Sequence, residues 1–363
     1  MRNVIQLVPA LAPAASGVGD YALNLARELR GSWRIDTSFL ALDRAGCAEA
    51  LDGFRVGVLE RASADLLSHR LNESGRECAT ATVLLQLSPY GFDRAGIPTW
   101  LAEGLRRWKG SGRARRLVTY FHELYATSPP WRKAFWLSPH QRRCVRDIYR
   151  LSDAAATNTE RYGEILSRWH GDGAPVAVIP VASNVGEPGD VRPLTARDPL
   201  MVLWGDEGTR DYAFGKRLGV MREAVDTLAL ERIVTVGDGR AHAAARVGRA
   251  QVSHRGTLPA AALTQLLSDA TIGVFRYNPN FLGKSSLFAA FCAHGVAPLC
   301  LANRPLEART FDGIQLDAQY MTRLPREPRA ASRRIRDVAE RAAKWYRAHS
   351  LRSHAEIMKG LIA

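Results

Sequence analysis

The segment PAAALTQLLSDATIGVFRYNPNFLGKSSLFAAFCAHGVAPLCL, residues 259–301, decides the fold. Helical periodicity over 259–267 and 285–293 alternates with short apolar runs at 271–275 and 297–301. Short apolar runs that alternate with amphipathic helices are typical of βαβ units, whose parallel strands are buried between helices. We therefore predict an α/β fold built on parallel sheets.

The same alternation extends from this segment towards both ends of the chain. Further buried strands are predicted at 4–8, 83–87, 117–121, 154–157, 176–179, 200–203 and 233–236. A chain of 363 residues is longer than one hydrophobic core usually serves, which favours two domains. The Gly- and Pro-rich segment 182–199 is the best boundary between them.

The predicted architecture is two Rossmann-like, doubly wound α/β domains that face a central cleft. The domains span 1–185 and 198–330, and helices over 331–363 are expected to cross back to the first domain. Ligands of open parallel sheets bind outside the carboxyl ends of the strands. A ligand site is therefore expected at these edges.

The net charge of +14 favours anionic partners, namely nucleotide phosphates, lipid phosphates or nucleic acid. The alternative is a surface of solvated arginines. No helix-turn-helix, zinc or RNA-recognition signature is present, so we expect no nucleic-acid partner.

The cysteines are odd in number and lack the close spacing of a zinc or redox motif, which indicates free thiols in a reducing cytoplasm. They are Cys47, Cys78, Cys144, Cys292 and Cys300. The N-terminal apolar stretch is broken by Pro9 and Pro13 and is interpreted as mature protein. No apolar run approaches the roughly 20 residues that span a bilayer. The expected location is the cytoplasm, with peripheral binding at the inner membrane face.

A glycine loop follows the first predicted strand and precedes a helix. It reads Ala14-Ala15-Ser16-Gly17-Val18-Gly19-Asp20. Glycines allow a ligand to approach the backbone closely, and the amides of a helix N-terminus attract anions. Ser16, Gly17 and Gly19 are therefore candidate ligand-binding residues. The alternative is a structural turn in which Asp20 caps the helix.

A histidine follows the predicted strand at 117–121, in the segment Tyr120-Phe121-His122-Glu123-Leu124-Tyr125. A His beside an acid at the end of a strand can orient a hydroxyl or transfer a proton. His122 is therefore a candidate catalytic residue, and a structural histidine is the alternative.

Two further segments carry cations beside predicted strand ends. Phe281-Leu282-Gly283-Lys284-Ser285-Ser286-Leu287 opens a helix, and Lys284, Ser285 and Ser286 are predicted to bind phosphate. Gly205, Arg210 and Lys216 follow the first strand of the second predicted domain, where Gly205 is a candidate binding residue and either cation could reach a diphosphate. The alternatives are a helix cap at Ser285 and cations that simply face solvent.

In order along the chain, these motifs resemble the retaining glycosyltransferases of family 4, which have the GT-B fold. The glycine loop resembles the N-terminal loop of that family, and His122 stands where those enzymes place a His near the donor sugar. The segment His254-Arg255-Gly256-Thr257-Leu258-Pro259 is similar to the family's Gly-x-(Val/Leu)-Pro run. The segment Cys292-Ala293-His294-Gly295-Val296-Ala297-Pro298 is similar to its Ala-Cys-Gly-Val-Pro run.

The resemblance implies transfer of a sugar from an activated donor, a UDP- or GDP-sugar, to a hydroxyl acceptor. It also implies retention of the configuration at the anomeric carbon. It implies a front-face mechanism in which cations stabilise the leaving diphosphate, and Arg210 and Lys216 join His122 as the catalytic candidates. No Asp-x-Asp motif is present, so neither a metal nor another cofactor is expected. The acceptor class is a saccharide or a lipid-linked sugar, in cell-surface polysaccharide or glycolipid assembly.

The chain departs from the family at two glutamates, whose positions fall on Leu282 and Ala290 when counted back from Gly295. Neither side chain can accept a hydrogen bond. One alternative is therefore a catalytically silent GT-B scaffold that binds a sugar or a partner. A sugar-nucleotide epimerase on the same fold is disfavoured, since the required set of carboxylates is not evident.

Two segments, 100–116 and 131–150, combine arginine and lysine with tryptophan. Basic helices with aromatic side chains suit an anionic membrane interface. The hypothesis is that the first domain binds an anionic membrane surface and receives a lipid-linked acceptor. The alternative is a pair of solvated, arginine-rich helices.

Overall fold

A computed structural model describes residues 2–12, 16–42, 50–75, 81–112, 114–127, 129–170, 176–242, 244–302 and 309–363. The chain divides into two compact units. The first unit is Met1–Ile179 with Leu351–Ala363, and the second is Pro180–Ser350. The division falls just before the Gly- and Pro-rich segment 182–199. Of the segment 331–363, the residues from Leu351 onward belong to the first unit.

The first unit is a mixed sheet with helices on its faces. Its described strands are β1 (Arg2–Val8), β2 (Ile35–Leu42), β3 (Ala50–Leu51), β4 (Phe54–Leu59), β5 (Ala81–Leu87), β6 (Arg115–Phe121), β7 (Ala154–Thr157) and β8 (Ala177–Val178). Their order is β3-β4-β2-β1-β5-β6-β7-β8, and every pair is parallel except β3 with β4. The described helices are α1 (Gly17–Trp33), α2 (Ala64–Gly75), α3 (Pro89–Phe92), α4 (Thr99–Gly110), α5 (Lys133–Leu151), α6 (Glu160–His170) and α12 (Leu351–Ile362).

The second unit is a smaller sheet of the same kind. Its described strands are β9 (Leu200–Trp204), β10 (Arg232–Val236), β11 (Arg246–Val247), β12 (Ala250–His254), β13 (Ile272–Phe275) and β14 (Ala297–Cys300). Their order is β11-β12-β10-β9-β13-β14, and only β11 with β12 is antiparallel among these described strands. The described helices are α7 (Glu207–Phe214), α8 (Leu218–Thr227), α9 (Ala260–Asp269), α10 (Ser286–Ala293) and α11 (Pro328–Arg347). The predicted α/β fold on parallel sheets is confirmed.

The C-terminal helix α12 packs on α1 in the first unit. Its buried residues Ala355, Met358 and Ile362 recur at helical spacing, and they join the cluster that contains Leu25 and Leu29 of α1. The last helix of the chain therefore completes the core that the first helix begins.

Helix α10 lies in the centre of the second unit. Its sequence SLFAAFCA is apolar on all sides, and all six residues from Phe288 to Ala293 are buried. A side chain at Gly273 of β13 would overlap the Phe291 ring, so glycine is needed for α10 to lie this close to the sheet.

The described helices include none that is both long enough and apolar enough to cross a membrane. Cys144, Cys292 and Cys300 are free thiols, and burial raises the pKa of the Cys144 thiol to about 12. Cys47 and Cys78 lie outside the described residues.

Candidate functional site

In the first unit, the glycine loop forms the N-terminus of α1 at the carboxyl end of β1. The Ser16 hydroxyl caps the helix by accepting a hydrogen bond from the Gly19 amide at 3.1 Å. A side chain at Gly19 would overlap the carbonyl oxygen of Ala10, so only glycine fits there. The serine, and not Asp20, is thus the cap. Ala14 and Ala15 of the predicted loop lie outside the described residues.

His122 lies just past β6 and is buried, at 6% exposure. Its Nε2 is 2.9 Å from Oε1 of Gln86, whose Nε2 donates to Oε1 of Gln6 at 2.8 Å. The Gln6 amide in turn donates to the carbonyl oxygen of Ala22 at 3.3 Å. The Gln86 amide oxygen can only accept, so it matches a neutral His122 ring that donates from Nε2. Side chains from β1 and β5 therefore hold the His122 ring in one orientation.

Aromatic rings surround His122. The ring of Tyr120 lies 4.6 Å from the imidazole and the ring of Tyr21 lies 5.0 Å from it. Burial raises the pKa of the Tyr21 phenol, whose oxygen is 2.9 Å from Nδ1 of His354 on α12. The amide of Asn158 donates to the His122 carbonyl at 2.9 Å. His122 is thus held on both its side chain and its backbone.

In the second unit, Arg210 is fully buried on α7. Its guanidinium donates to the carbonyl oxygens of Gly205 at 2.8 Å, of Arg240 at 3.0 Å and 3.1 Å, and of Asp238. These bonds join the end of β9 to the loop after β10. A guanidinium committed to backbone carbonyls is not available to a diphosphate, so the structure gives Arg210 a structural role in place of the predicted catalytic one.

Gly205 and Gly237 meet at this point in the fold. Gly237 has a φ of +131°, and a side chain there would overlap the Gly205 carbonyl oxygen. The loop after β10 therefore lies directly against the end of β9. The Gly-x-Gly at 237–239 packs around Arg210. The loops that contain Gly205 and Gly237 are therefore packed together around this arginine.

The remaining predicted cations differ in exposure. Lys216 is exposed between α7 and α8, whereas Lys284 is half-buried and its Nζ lies 5.8 Å from the centre of the Phe281 ring. Ser285 is buried and caps α10, since its hydroxyl accepts a hydrogen bond from the Phe288 amide at 3.2 Å. Ser286 is the first residue of α10. The structure therefore places Lys284 and Ser286 at the helix N-terminus and uses the Ser285 hydroxyl as its cap.

Two arginines that were not predicted lie near the carboxyl ends of β9 and β13. Arg276 follows β13 and stacks over the Tyr212 ring at 4.1 Å, and Arg217 lies over the same ring at 5.8 Å. The pKa of the Asp206 carboxyl is lowered chiefly by hydrogen bonds from Thr209, and Arg210 and Arg276 lower it further. An arginine that directly follows an apolar strand is the signal that identifies Arg276 in the sequence. Gln6 and Gln86 carry a comparable signal, because each interrupts a buried apolar strand.

The positions matched to the family's glutamates are buried in the second unit. Leu282 is 1% exposed and Ala290 is fully buried, and both pack in the hydrophobic core of the second unit. A carboxylate at either position would be buried without water.

The two basic segments differ in the structure. In 100–116, Trp108 is fully buried, and Arg106, Arg107 and Lys109 pair with acidic side chains. Trp108 therefore adds no aromatic surface to this segment, whose Arg113 lies outside the described residues. In 131–150, Trp131 is 81% exposed and Trp136 is 70% exposed.

The part of the chain that the structure describes contains no group of three or more His, Cys, Asp or Glu side chains placed to hold a metal ion.

Solved structures resemble this chain over its whole length. An α-glucosyltransferase in complex with UDP and a 13-mer DNA matches with a TM-score of 0.62 and 12% identity, covering 100% of this chain and 99% of that one. The lipopolysaccharide outer core galactosyltransferase WaaB matches at 0.57 and 12%, with coverage of 100% and 99%. The pneumococcal O-GlcNAc transferase GtfA, with UDP and GlcNAc, matches at 0.62 and 10%, with coverage of 99% and 98%.

These similarities establish the architecture. The chain has the GT-B fold. No family model matches the chain, and no curated protein matches it. The assignment to family 4 therefore rests on the motifs alone.

The exclusion of nucleic-acid partners is wrong. The α-glucosyltransferase that shares this fold is seen in complex with several DNAs, including one with an abasic site and one with a central A:G mismatch. The lack of such a signature in this sequence therefore does not exclude a nucleic-acid partner.

Proposed function

We propose that the protein is a glycosyltransferase that takes a sugar from a nucleoside-diphosphate donor. A UDP-sugar is the first candidate donor. The observation that carries the proposal is the full-length similarity to glycosyltransferases solved with UDP. Retention of the anomeric configuration, as in family 4, is part of the proposal. The family motifs at 254–259 and 292–298 support it.

The donor diphosphate is proposed to bind at the carboxyl edge of the sheet in the second unit. Lys284 and Ser286 open α10, whose N-terminal amides attract an anion. Lys216 adds an exposed cation, and Arg276 adds a second one after β13. Cations at this edge stabilise the charge that develops on the leaving diphosphate. Gly205 is assigned to the scaffold of the site because its carbonyl holds Arg210.

His122 is proposed to orient a sugar hydroxyl at the carboxyl edge of the sheet in the first unit. The hydrogen bonds through Gln86 and Gln6 support this role, because they hold the ring in one orientation. The glycine loop at 16–19 borders the same edge, since it follows β1. A saccharide or a lipid-linked sugar remains the proposed acceptor class, in cell-surface polysaccharide or glycolipid assembly.

A thermal-shift titration with UDP, GDP, ADP and dTDP tests donor binding. At a hundredfold excess over Kd, a ligand stabilises the folded state by about 2.7 kcal/mol. We expect a shift with one nucleotide, a much smaller shift for Lys284→Ala, and a full shift for the control Lys133→Ala, an exposed lysine of the first unit. Absence of a shift with every nucleotide contradicts the proposal.

The second candidate function is a silent scaffold, which the buried Leu282 and Ala290 favour. Hydrolysis of the nucleotide sugar that stabilises the protein separates the two functions. Slow hydrolysis without acceptor, lost in His122→Ala, supports an enzyme. Nucleotide binding without turnover supports the scaffold. Where a product forms, its anomeric proton coupling in NMR reports retention or inversion.

Binding to an anionic membrane surface is proposed for the segment that begins at Trp131. Trp131, Phe135 and Trp136 are exposed beside Arg132 and Lys133, which suits a bilayer interface. Co-sedimentation with phosphatidylserine vesicles is expected to fall in the double variant Trp131→Ala/Trp136→Ala. Equal binding to neutral and anionic vesicles speaks against this surface.

A further inference from the structure

A cavity of about 790 Å³ lies in the second unit, on the face of α11. One wall is the segment 191–195, and the other is the part of α11 from Arg336 to Arg347. Val191, Pro193, Leu194 and Ala339 provide apolar lining. We call this cavity the α11 groove.

The α11 groove lies away from the proposed donor site. Leu194 comes before β9 and Gly295 comes before β14, and both line the groove. Because β9 and β14 are parallel members of one sheet, these residues mark the amino edge of that sheet. The proposed diphosphate site is at the carboxyl edge. A ligand in the groove therefore occupies a second site.

The groove is strongly basic. Its charged lining residues are Arg192, Arg336, Glu340, Arg341, Lys344 and Arg347. Arg192 is held by Asp269 at 2.5 Å and by the Ala196 carbonyl at 2.9 Å. Within the described part of the chain, the four cations of α11 form no hydrogen bond, ion pair or ring contact, and all four are exposed. These four cations outnumber Glu340, the acidic residue of the same wall, so the wall has a net positive charge that favours an anion.

The cations are spread along the length of α11. From Arg336 to Arg347 the helix rises by about 16 Å at about 1.5 Å per residue. A single phosphate reaches only a part of that length. A nucleic-acid strand carries one negative charge about every 3.4 Å along a duplex axis. A strand that runs along this wall would therefore place several phosphates beside the cations.

A bilayer is a poorer occupant than a strand. The apolar side chains of α11, including Ile335, Val338 and Trp345, are buried, and none of its described residues is a large exposed hydrophobic residue. The helix thus has no bulky apolar group to insert into lipid. A groove is also concave, and it admits a chain more readily than a flat surface.

We propose that the α11 groove binds the phosphodiester backbone of a nucleic acid, at a site separate from the donor site. The contacts are electrostatic and independent of base sequence, since arginine and lysine side chains meet phosphates and not base edges. This inference goes beyond sugar transfer and does not depend on it.

Fluorescence anisotropy with a labelled oligonucleotide tests the proposal. The oligonucleotide is about 20 nucleotides long and is used both as a single strand and as a duplex, at about 50 and 200 mM salt. The groove variant is Arg341→Glu/Lys344→Glu. The control is Arg222→Glu/Arg249→Glu, which reverses two exposed charges elsewhere in the same unit and changes the net charge equally. Circular dichroism and the melting temperature without ligand establish that both variants are folded.

We expect the groove variant to bind at least about tenfold more weakly, with the slope of log K against log salt reduced by about 2, because each lost phosphate contact removes about one unit. The control is expected to stay within about threefold of the wild type. Equal weakening of the two variants overturns the proposal, since binding then follows net charge alone. Failure of the wild type to bind either oligonucleotide also overturns it. The proposal is likewise overturned if the groove variant loses binding to phosphatidylserine vesicles but not to the oligonucleotides.

Discussion

At the scale of single residues, Arg210 shows how the tertiary setting determines the role of a cation. The residue is fully buried and donates to three backbone carbonyls on two loops. Lys216, only six positions along the chain, is exposed and has no described partner. Two cations that look equivalent in the sequence therefore have different roles, one in the scaffold and one at the surface.

Replacing Arg210 by methionine is expected to lower the free energy of unfolding by at least about 2 kcal/mol, because buried carbonyl oxygens lose their donors. Lys216→Met is the matched control and is expected to change stability by less than about 0.5 kcal/mol. Urea denaturation followed by circular dichroism measures both. A small loss for Arg210→Met contradicts the structural role.

At the scale of elements, helix α10 ends at a buried histidine. His294 is 1% exposed, and its Nδ1 is 2.8 Å from the carbonyl oxygen of Ala290, so the neutral ring carries its proton on Nδ1. The described structure offers no partner to Nε2, which is buried. Burial lowers the pKa of His294 from its ordinary value of 6.5, and the nearby Arg197 lowers it further.

The lowered pKa of His294 predicts a loss of stability in acid. Below about pH 6.5 the unfolded chain takes up a proton that the folded chain resists, so unfolding becomes more favourable. The contribution is complete above about pH 6.5 and is lost as the pH falls through the lowered folded value. Urea midpoints between pH 7.5 and 5.5 are expected to fall less in His294→Asn than in the wild type. The exposed His140→Asn is the control, and an unchanged slope in His294→Asn refutes the assignment.

At the scale of the whole molecule, the chain returns to its first unit at its end. Helix α12 starts at Leu351, directly after the second unit, yet it packs on α1. The first unit therefore combines α1 and α12, which are far apart in the sequence. Loss of the C-terminal helix removes part of the core of the N-terminal unit.

Neighbouring residues of α12 test this dependence. Met358 is fully buried and Ile357 is 41% exposed. Met358→Ala is expected to cost about 2–5 kcal/mol through the cavity that it leaves, and Ile357→Ala less than about 1 kcal/mol. Hydrogen exchange is expected to rise in α1 and β1 of the Met358 variant, with β9 and β13 unchanged. Faster exchange confined to the second unit contradicts the packing of α12.

The periodicity of the sequence determined the elements and the fold class. Alternation of apolar strands with amphipathic helices is local, so the strands at 4–8, 83–87, 117–121 and 271–275 were predictable from it. The glycine loop before α1 and the helix that begins after Ser285 are also local features, since each is read from adjacent residues. The strands β2 and β4 and the helix α2 were not predicted.

Only the tertiary structure decided which polar groups are buried and what they bind. The chain from His122 through Gln86 to Gln6 joins residues more than 100 positions apart, and no local pattern carries that pairing. Arg210 was predicted to stabilise the leaving diphosphate, because two of its three carbonyl partners, Asp238 and Arg240, belong to a loop about 30 residues away that no local pattern links to it. The α11 groove likewise depends on the approach of 191–195 to a helix near the end of the chain. Periodicity records which face of an element is apolar, whereas burial and pairing depend on which distant elements meet.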